Sequence, residues 1–588
     1  MIEKLLVIIF ITQAFVQSKP YKRSLSGAVD LTLSPGSVGK EVVEACILKL
    51  DSLSIFSNDF EFMKRIAFVE TKFGTNFTFK DITRGIWQMS IPMLSELQAE
   101  ASSAILVSLV TTISQTLGPS LVDFNNMDMT IPFHSAIALR LYIELIQNAS
   151  AVPGLRQDQH HWWETNYTIS SSKNYTAEVI ELEASENCPE KEMDVWFLLD
   201  GSTSIRREHF ETSLLFINHL MSGFVISPSI VRAGMSTYSS YGNTVIASKF
   251  DEHTDNSAFE NAVNNTVYLT GTTYTGFAIY DVLTNGFTVI SGARSFNLGI
   301  PRALVVITDG YSFDSAEEAA KQAHSAGVTL FAVGVGTGIE LEEIKTMASH
   351  PYTTYSYIMT DFTDLLNVLP EPLSNKACKL SAAIQHGAPV TVSEEPGGIH
   401  YSYISVPAED YVTVSFEVNA GSGSSAQIYV GLYPNPSASL HLLTFVLLPG
   451  DLVALKVTAS GAITRSAVES NLDISSLVSG AASLYVTTVS TGTSKLELAI
   501  TSTLSLTTTT AAVTTTTTST SSPTADYLEW WIVMIIVVLS IVTIMILATV
   551  VLFILGISRS SRYPKCDHGI CYSTCLCICT ENRYGYYH

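Results

Sequence analysis

Three apolar runs of strand length constrain the middle of the chain more than any other feature. They lie within residues 192–370 and read DVWFLLD, RALVVITDG and VTLFAVGVG. Helix-like amphipathic segments separate them, among them REHFETSLLFINHLM and SAEEAAKQAHSAG. Strands that are apolar on both faces and alternate with helices are typical of a largely parallel sheet covered on both sides. The sequence therefore predicts an α/β domain, in which ligands bind at the carboxyl ends of the strands.

Oxygen-bearing side chains follow these runs. Asp200 ends the first run, and Ser202 and Ser204 lie in the loop that follows it. Thr273 lies in GTTYTG, and Asp309 ends the run LVVITD. If the strands are neighbours, the five side chains converge and suit Mg²⁺, with Mn²⁺ or Ca²⁺ as alternatives, better than zinc or copper. Neutral hydroxyls leave the cation positively charged, which predicts that it attracts an acidic group of a partner.

Three other interpretations of DGSTS compete with a metal site. A serine nucleophile needs a nearby base and usually the G-x-S-x-G elbow, and neither DGSTS nor its surroundings supply them. A phosphate-binding loop needs G-x-x-x-x-G-K-[ST], which is absent from the sequence. Ser202 or Ser204 as a cap of the following helix stays open, and capping is compatible with coordination.

The order and spacing of DGSTS, TYTG and TDG resemble the metal-ion-dependent adhesion site of von Willebrand factor A domains. The resemblance covers residues 192 to about 370. It implies a Rossmann-like fold, a bound magnesium-type cation, and a protein or matrix ligand that carries a carboxylate. Cys188 and Cys378 flank this domain, which we take as 188–378, and the resemblance makes a disulfide between them plausible, since domain ends lie close together.

A second motif precedes this domain. Glu70 lies in the apolar, helix-like segment EFMKRIAFVETKF, and GIWQM with Trp87 and Gln88 follows fifteen residues later. The pair resembles the goose-type lysozyme and lytic transglycosylase group. The resemblance implies a helical, lysozyme-like domain over residues 40–175, with Glu70 as the general acid and with Trp87 and Gln88 shaping the sugar cleft.

Whether such a domain is active stays open. The sequence nominates no convincing second carboxylate, although Asp81 is a candidate. Tyr167 is a candidate for the late tyrosine of that group. The domain is either a glycosidase acting on peptidoglycan or a related amino-sugar polymer, or a lysozyme fold used for binding.

Residues 380–500 differ from both preceding regions. Strand-like segments such as YVTVSFEVN and DLVALKVTA alternate with turns rich in Gly, Pro, Asn and Asp. This pattern predicts an all-β sandwich. No chemistry-bearing motif is found in it.

Both ends of the chain predict a single-pass membrane protein. Residues 1–18 have the charge and apolar pattern of a signal peptide. Residues 530–557 are uncharged and longer than the ~20 residues that span a bilayer. Trp530 and Trp531 begin this stretch, and basic residues follow it, which places residues 558–588 in the cytoplasm and the remainder outside the cell, at the plasma membrane.

The remaining features agree with an extracellular location. Residues 501–529 are rich in Thr and Ser and predict an O-glycosylated stalk or a plain linker. Cysteines cluster in the tail, which indicates palmitoylation or, with His568, a zinc site. The net charge of −22 over 588 residues argues against nucleic acid as a partner. Sequons for N-glycosylation occur at Asn76, Asn148, Asn166, Asn174 and Asn264.

Taken together, these patterns predict a multidomain cell-surface adhesion or recognition protein. Its A-type domain would bind an acidic protein or matrix ligand through a divalent cation. The alternative is a membrane-anchored, lysozyme-like enzyme with Glu70 as its acid. The two functions are compatible in one chain.

Overall fold

The computed structural model describes most of the chain between residues 29 and 505. The described ranges are 29–76, 84–118, 120–148, 152–167, 173–186, 188–406, 411–419, 423–441, 443–448, 452–458, 462–465, 472–473 and 482–505. The predicted signal peptide, membrane span and cytoplasmic tail lie outside these residues, as does Asp81.

Helices dominate the first part of the described chain, after a short strand β1 (Val29–Asp30). The helices are α1 (Lys40–Asp51), α2 (Phe62–Thr71), α3 (Ile91–Ala99), α4 (Val107–Leu117), α5 (Pro132–Gln147), α6 (Arg156–Asn166) and α7 (Tyr175–Glu186). The helical region thus continues to Glu186, beyond the predicted boundary at residue 175.

Helix α5 is the centre of this helical region. Pro132 occupies its first turn, where the missing N–H costs nothing. Eleven of its residues are buried, including the polar Ser135 and Arg140. A helix that is buried around most of its circumference must be surrounded by others, and α1, α2 and α3 pack against α5.

The second part is the predicted α/β domain. Its strands are β2 (Met193–Asp200), β3 (Val231–Tyr238), β4 (Thr244–Ser248), β5 (Arg302–Thr308), β6 (Thr329–Val335) and β7 (Ser356–Met359). Its helices are α8 (Arg207–Met221), α9 (Asn256–Asn264), α10 (Thr275–Asp281), α11 (Ala316–Ser325), α12 (Leu341–Met347), α13 (Tyr352–Tyr355), α14 (Phe362–Asn367) and α15 (Pro370–Cys378). The strand order is β4-β3-β2-β5-β6-β7, and all neighbours are parallel except β3 and β4.

Strand β2 shows why this sheet needs helices on both faces. Alternate side chains of a strand point to opposite faces. Val195, Phe197 and Leu199 enter a core shared with α8, α9, α14 and α15. Trp196 and Leu198 enter a second core, shared with α10, α11 and α12. The continuous apolar run in the sequence is therefore two alternating apolar faces.

The third part consists of two β-sheets over residues 382–505. Its strands are β8 (Ala382–Ala383), β9 (Val390–Glu394), β10 (Ile399–Val406), β11 (Tyr411–Val418), β12 (Ala426–Gly431), β13 (Leu440–His441), β14 (Leu443–Leu447), β15 (Leu452–Thr458), β16 (Ala462–Arg465), β17 (Leu472–Asp473), β18 (Ala482–Ser490) and β19 (Leu496–Ser505). One sheet has the order β14-β12-β18-β10-β8 and the other β17-β16-β15-β11-β19-β9, while β13 pairs with β1.

Strand β19 extends into the predicted stalk. Ser502 and Leu504 pair with Val414 and Val412 of β11. The stalk prediction is therefore wrong for residues 501–505, because threonine-rich segments have high strand propensity and here find a partner strand. Within the described ranges no helix is long and apolar enough to cross a membrane, and the predicted span 530–557 is not among them.

Candidate metal centre

Asp200 is the buried end of the site. It ends β2, the strand at the centre of the sheet, and has no exposed surface. Its Oδ1 accepts the backbone N–H of Ser202 at 2.8 Å, and its Oδ2 accepts the hydroxyl of Thr308 at 2.8 Å. Burial raises the pKa of this carboxyl to about 6, partly opposed by those hydrogen bonds.

A chain of hydrogen bonds runs outward from the buried loop to Asp309. The hydroxyls of Ser202 and Ser204 lie 2.9 Å apart. Ser204 donates its hydroxyl to Oδ1 of Asp309 at 2.8 Å. Burial also raises the pKa of Asp309. The site therefore opens from the buried Asp200 to the exposed Ser204.

Thr273 lies in a loop that is tied to the Asp200 loop. Thr270 donates its N–H to the carbonyl of Gly201 at 2.7 Å, and Thr203 donates its N–H to the carbonyl of Gly271 at 2.9 Å. Gly271 has φ +116°, and a Cβ there would lie 2.5 Å from Oγ of Ser240, so this close approach requires glycine. The Thr273 side chain is buried at the junction of the two loops.

The alternative of a helix cap is wrong for this loop. Helix α8 begins at Arg207, its capping residue is Arg206, and no side chain caps it. Ser202 and Ser204 instead bond to each other and to Asp309. Their hydroxyls are therefore committed to the polar cluster.

The donor set fits a hard divalent cation. The structure brings together two carboxylates and serine hydroxyls that already lie within hydrogen-bond distance of one another. Oxygen donors of this kind suit Mg²⁺, Mn²⁺ or Ca²⁺. Within the described ranges no group of three or more His, Cys, Asp or Glu side chains could hold a metal. A site that combines two carboxylates with hydroxyls does not need such a group.

One supporting residue was missed by the sequence analysis. Thr308 immediately precedes Asp309 and orients Asp200 from the neighbouring strand. Its position at the end of an apolar run was the available signal, but a threonine in a strand is ordinarily attributed to strand propensity.

Glu70 lies in the interior of the helical region rather than on an open surface. It is 2% exposed, and its Oε1 accepts the indole N–H of Trp163 at 2.9 Å. Tyr167 is buried nearby and donates its hydroxyl to the carbonyl of Trp87. Burial raises the pKa of Tyr167, and the charge of Glu70 raises it further.

The two residues predicted to shape a sugar cleft are also buried. Trp87 donates its indole N–H to the carbonyl of Met63 at 2.9 Å, and Gln88 donates its side-chain N–H to the carbonyl of Gly85 at 2.8 Å. Both side chains are directed into the protein. Among the described residues, Trp87 and Gln88 therefore do not line an open cleft. The role of Glu70 as an acid stays a prediction.

Cys188 and Cys378 form a disulfide, with their Cα atoms 5.9 Å apart. The bond closes the α/β domain at the end of β2 that is opposite to Asp200. Cys46 is a free, buried thiol in α1.

The predicted glycosylation sites differ in accessibility. Asn76, Asn148, Asn174 and Asn264 are exposed. Asn166 is half-buried, and its side-chain N–H donates to the carbonyl of Trp162 at 3.1 Å. Glycosylation at Asn166 would require that bond to break.

Curated relatives match the α/β domain. Human matrilin-1 is 36% identical over 186 residues, which are 32% of this chain and 36% of that protein. Mouse matrilin-2 is 33% identical over 194 residues, 33% of this chain and 20% of that protein. The human collagen alpha-1(XXI) chain is 31% identical over 215 residues, 37% of this chain and 21% of that protein. The chain thus spans between 20% and 36% of the length of these relatives.

Solved structures are similar over the same share of the chain. Proximal thread matrix protein 1 from the mussel byssus is 20% identical and covers 35% of this chain and 50% of its own, with a TM-score of 0.30. That protein is also known with a zinc occupied MIDAS motif. The manganese-loaded TRAP protein of Plasmodium vivax is 20% identical and covers 31% of this chain and 73% of its own, with a TM-score of 0.26.

The family model described as von Willebrand factor type A domain matches residues 194–371. This match covers the six-stranded sheet and both strand ends that carry the carboxylates. Residues 194–371 of this chain are therefore a von Willebrand factor type A domain.

Proposed function

We propose that this chain is an extracellular adhesion protein whose type A domain binds an acidic group of a protein or matrix ligand through a divalent cation. Asp200, Ser202, Ser204, Thr273 and Asp309 would hold the cation, which is Mg²⁺ or alternatively Mn²⁺ or Ca²⁺. The ligand's carboxylate would occupy the remaining coordination position.

One observation carries this proposal. Asp200 and Asp309 follow the paired ends of β2 and β5 at one edge of the sheet. The backbone N–H of Ser202 bonds to Asp200, and the hydroxyls of Ser202 and Ser204 continue the chain of hydrogen bonds to Asp309. The two carboxylates supply the charged donors, and the neutral hydroxyls complete the oxygen set without adding further negative charge, so a ligand's carboxylate is still attracted to the cation. The cluster is exposed at the Ser204 end, where a partner has access.

Two further observations support an extracellular matrix setting. The relatives of the domain include matrilins and a collagen chain. The Cys188–Cys378 disulfide is typical of proteins that fold in an oxidising compartment.

Cation binding can be tested without knowing the ligand. The full-length chain, purified in detergent, is melted with and without excess MnCl₂ or MgCl₂. A bound cation at 100 times its Kd adds about 2.7 kcal/mol of stability and raises the melting temperature. We expect Asp200→Ala and Asp309→Ala to lose this increase, and Glu211→Ala, an exposed carboxylate on α8, to keep it. An equal increase in all variants would contradict the assignment.

Adhesion itself is tested with cells that display the full-length chain. They are placed on matrix laid down by cultured fibroblasts, with EDTA, Mg²⁺ or Mn²⁺ in the medium. Adhesion should require the cation and be lost in Asp200→Ala but not in Glu211→Ala. Adhesion that survives both the chelator and Asp200→Ala would exclude this function.

Membrane anchoring is part of the same proposal. Residues 530–557 would span the plasma membrane once, with residues 558–588 in the cytoplasm and the type A domain outside. Extraction of expressing cells at alkaline pH tests this. The full-length chain should stay in the membrane fraction, and a chain that ends before residue 530 should appear in the medium. Release of the full-length chain would refute the anchor.

A further inference from the structure

Four aromatic side chains form a row beside the cation site. The ring centroids of Phe277 and Tyr241 are 4.7 Å apart, those of Tyr241 and Tyr274 are 5.7 Å apart, and those of Tyr274 and Phe313 are 5.9 Å apart. We call these four residues the aromatic row. The path along the three ring-to-ring steps is at most as long as roughly five residues of an extended segment at ~3.1 Å per residue.

Two members of the aromatic row are open to solvent. Tyr241 is 70% exposed and Phe313 is 66% exposed. Tyr311, in the same loop as Phe313, is 65% exposed. Singly exposed apolar residues are ordinary, but a contiguous group of large aromatic rings marks a surface for a partner.

Hydrogen bonds fix the loops that carry the row. Tyr274 donates its N–H to the carbonyl of Ser239 at 3.0 Å, which joins its loop to the turn after β3. Asp314 accepts the N–H of Gly276 at 2.9 Å and of Phe277 at 2.6 Å. The rings therefore stand on a connected backbone, so little ordering remains to be done when a ligand binds.

One end of the row adjoins the residues proposed to hold the cation. Phe313 donates its N–H to the carbonyl of Thr273 at 2.9 Å. Tyr274 directly follows Thr273 in the chain, and its ring stacks on that of Phe313 at an interplanar angle of 19°. A ligand whose carboxylate meets the cation can therefore lay its neighbouring residues on these rings.

We propose that the aromatic row is the specificity surface of this site and takes an extended protein segment with a proline or aromatic residue within a few positions of its carboxylate. This inference rests on the proposed function. Proline and aromatic rings pack on exposed aromatic faces, and proline-rich segments recur in aromatic-lined grooves. The charge of the cation selects the acidic residue, and the neutral rings favour a residue with a flat apolar or aromatic face over a small or acidic residue beside it.

The test is a panel of immobilised nine-residue peptides with a central glutamate. Positions on either side carry proline, tryptophan, leucine, serine or lysine, and a matched set has glutamine at the centre. The full-length chain, purified in detergent, is applied with Mn²⁺ and with EDTA. We expect binding that requires Mn²⁺ and the central glutamate, and that is about tenfold stronger when proline or tryptophan lies near it.

Matched variants then assign the preference to the row. Phe313→Ala with Tyr241→Ala should abolish the preference and keep the increase in melting temperature with Mn²⁺, which shows that the fold and the cation site are intact. Tyr280→Ala, a half-exposed tyrosine on α10 outside the row, should keep both.

The outcomes separate the two proposals. Glutamate-dependent binding without any preference at neighbouring positions, or a preference for leucine alone, would overturn the role of the row and leave the proposed function standing. A preference that survives the double variant would also overturn it. Absence of any binding that depends on Mn²⁺ and glutamate would overturn the proposed function and this inference with it.

Discussion

The hydroxyl of Thr308 donates a hydrogen bond of 2.8 Å to Oδ2 of Asp200, and so joins the carboxyl ends of the two central strands of the type A domain. Strands β2 and β5 pair in parallel up to Leu199 and Ile307, which places the next residue of each strand side by side. The other oxygen of Asp200 accepts the N–H of Ser202. The orientation of this carboxylate is therefore set by the protein itself.

Thr308→Val should weaken cation binding. Valine has the shape of threonine without the donor, so Asp200 would lose a bond that orients it. Partners of this kind ordinarily change metal affinity by about 10- to 100-fold, and we expect a loss at the lower end. Titration calorimetry with Mn²⁺ measures it, and Thr308→Ser should bind like the wild type. Equal affinity in Thr308→Val would show that the bond is dispensable.

Loss of the disulfide should destabilise the chain. Cys188 and Cys378 are 190 positions apart, so the bond removes much conformational freedom from the unfolded chain. The double variant Cys188→Ala/Cys378→Ala should lose about 2–5 kcal/mol of unfolding free energy. Urea denaturation measures this, and a reductant should destabilise the wild type but leave the double variant unchanged. A stable double variant would mean that packing alone closes the domain.

Glu186 should make the free energy of unfolding of the helical region depend on pH in the acidic range. Burial raises its pKa, but Lys64, Lys379 and Lys40 outweigh burial and lower it to about 2. A carboxyl with a lowered pKa in the folded state contributes stability above its ordinary pKa of about 4.3, and the contribution is lost as the pH falls toward 2.

The expected loss is on the order of 2 kcal/mol between pH 5 and pH 2. Urea denaturation of the wild type and of Glu186→Gln at a series of pH values isolates this contribution. The difference between the two should shrink as the pH falls through this window. A constant difference would show that the ion pairs do not distinguish the folded state from the unfolded one.

Gly234→Ala should unfold or severely destabilise the type A domain. A Cβ at this position in β3 would lie 2.1 Å from the ring of Trp196, which is completely buried in β2. Overpacking of a tight core costs typically 1–3 kcal/mol, and this contact is with a ring that has no space to move. Gly223→Ala is the control, since its nearest contact is 3.4 Å. Thermal melts should separate the two variants by several degrees.

Glu70 should stabilise the folded chain as a hydrogen-bond acceptor. Glu70→Ala would leave the indole N–H of Trp163 without this partner and cost about 1–3 kcal/mol. Glu70→Gln keeps an oxygen in place and should cost less. The same variants test the glycosidase prediction with a suspension of bacterial cell walls. Turbidity that falls with the wild type but not with Glu70→Gln would assign Glu70 as an acid.

The local pattern of apolar residues was sufficient to predict individual strands and helices. The runs ending at Asp200 and Asp309 are strands β2 and β5, as predicted, because a strand buried on both faces must be apolar at every position. The segment around Glu70 is helical as predicted. The apolar residues around Glu70 predicted an open pocket. In the structure Glu70 is buried instead, beside Trp163 of α6 and Tyr167, which directly follows α6.

The sequence by itself determined which residues could hold a cation and which segments could form strands, because residue chemistry and hydrophobic period are local properties. Only the tertiary structure decided what those residues contact. Ser204 and Asp309 are separated by 105 positions, and Thr308 and Asp200 by 108. Residues so far apart in the sequence come into contact only because the strand order of the sheet places β2 beside β5. The aromatic row arises in the same way, from Tyr241 after β3, Tyr274 and Phe277 at the start of α10, and Phe313 after β5, because β3 and β5 flank β2 in the sheet.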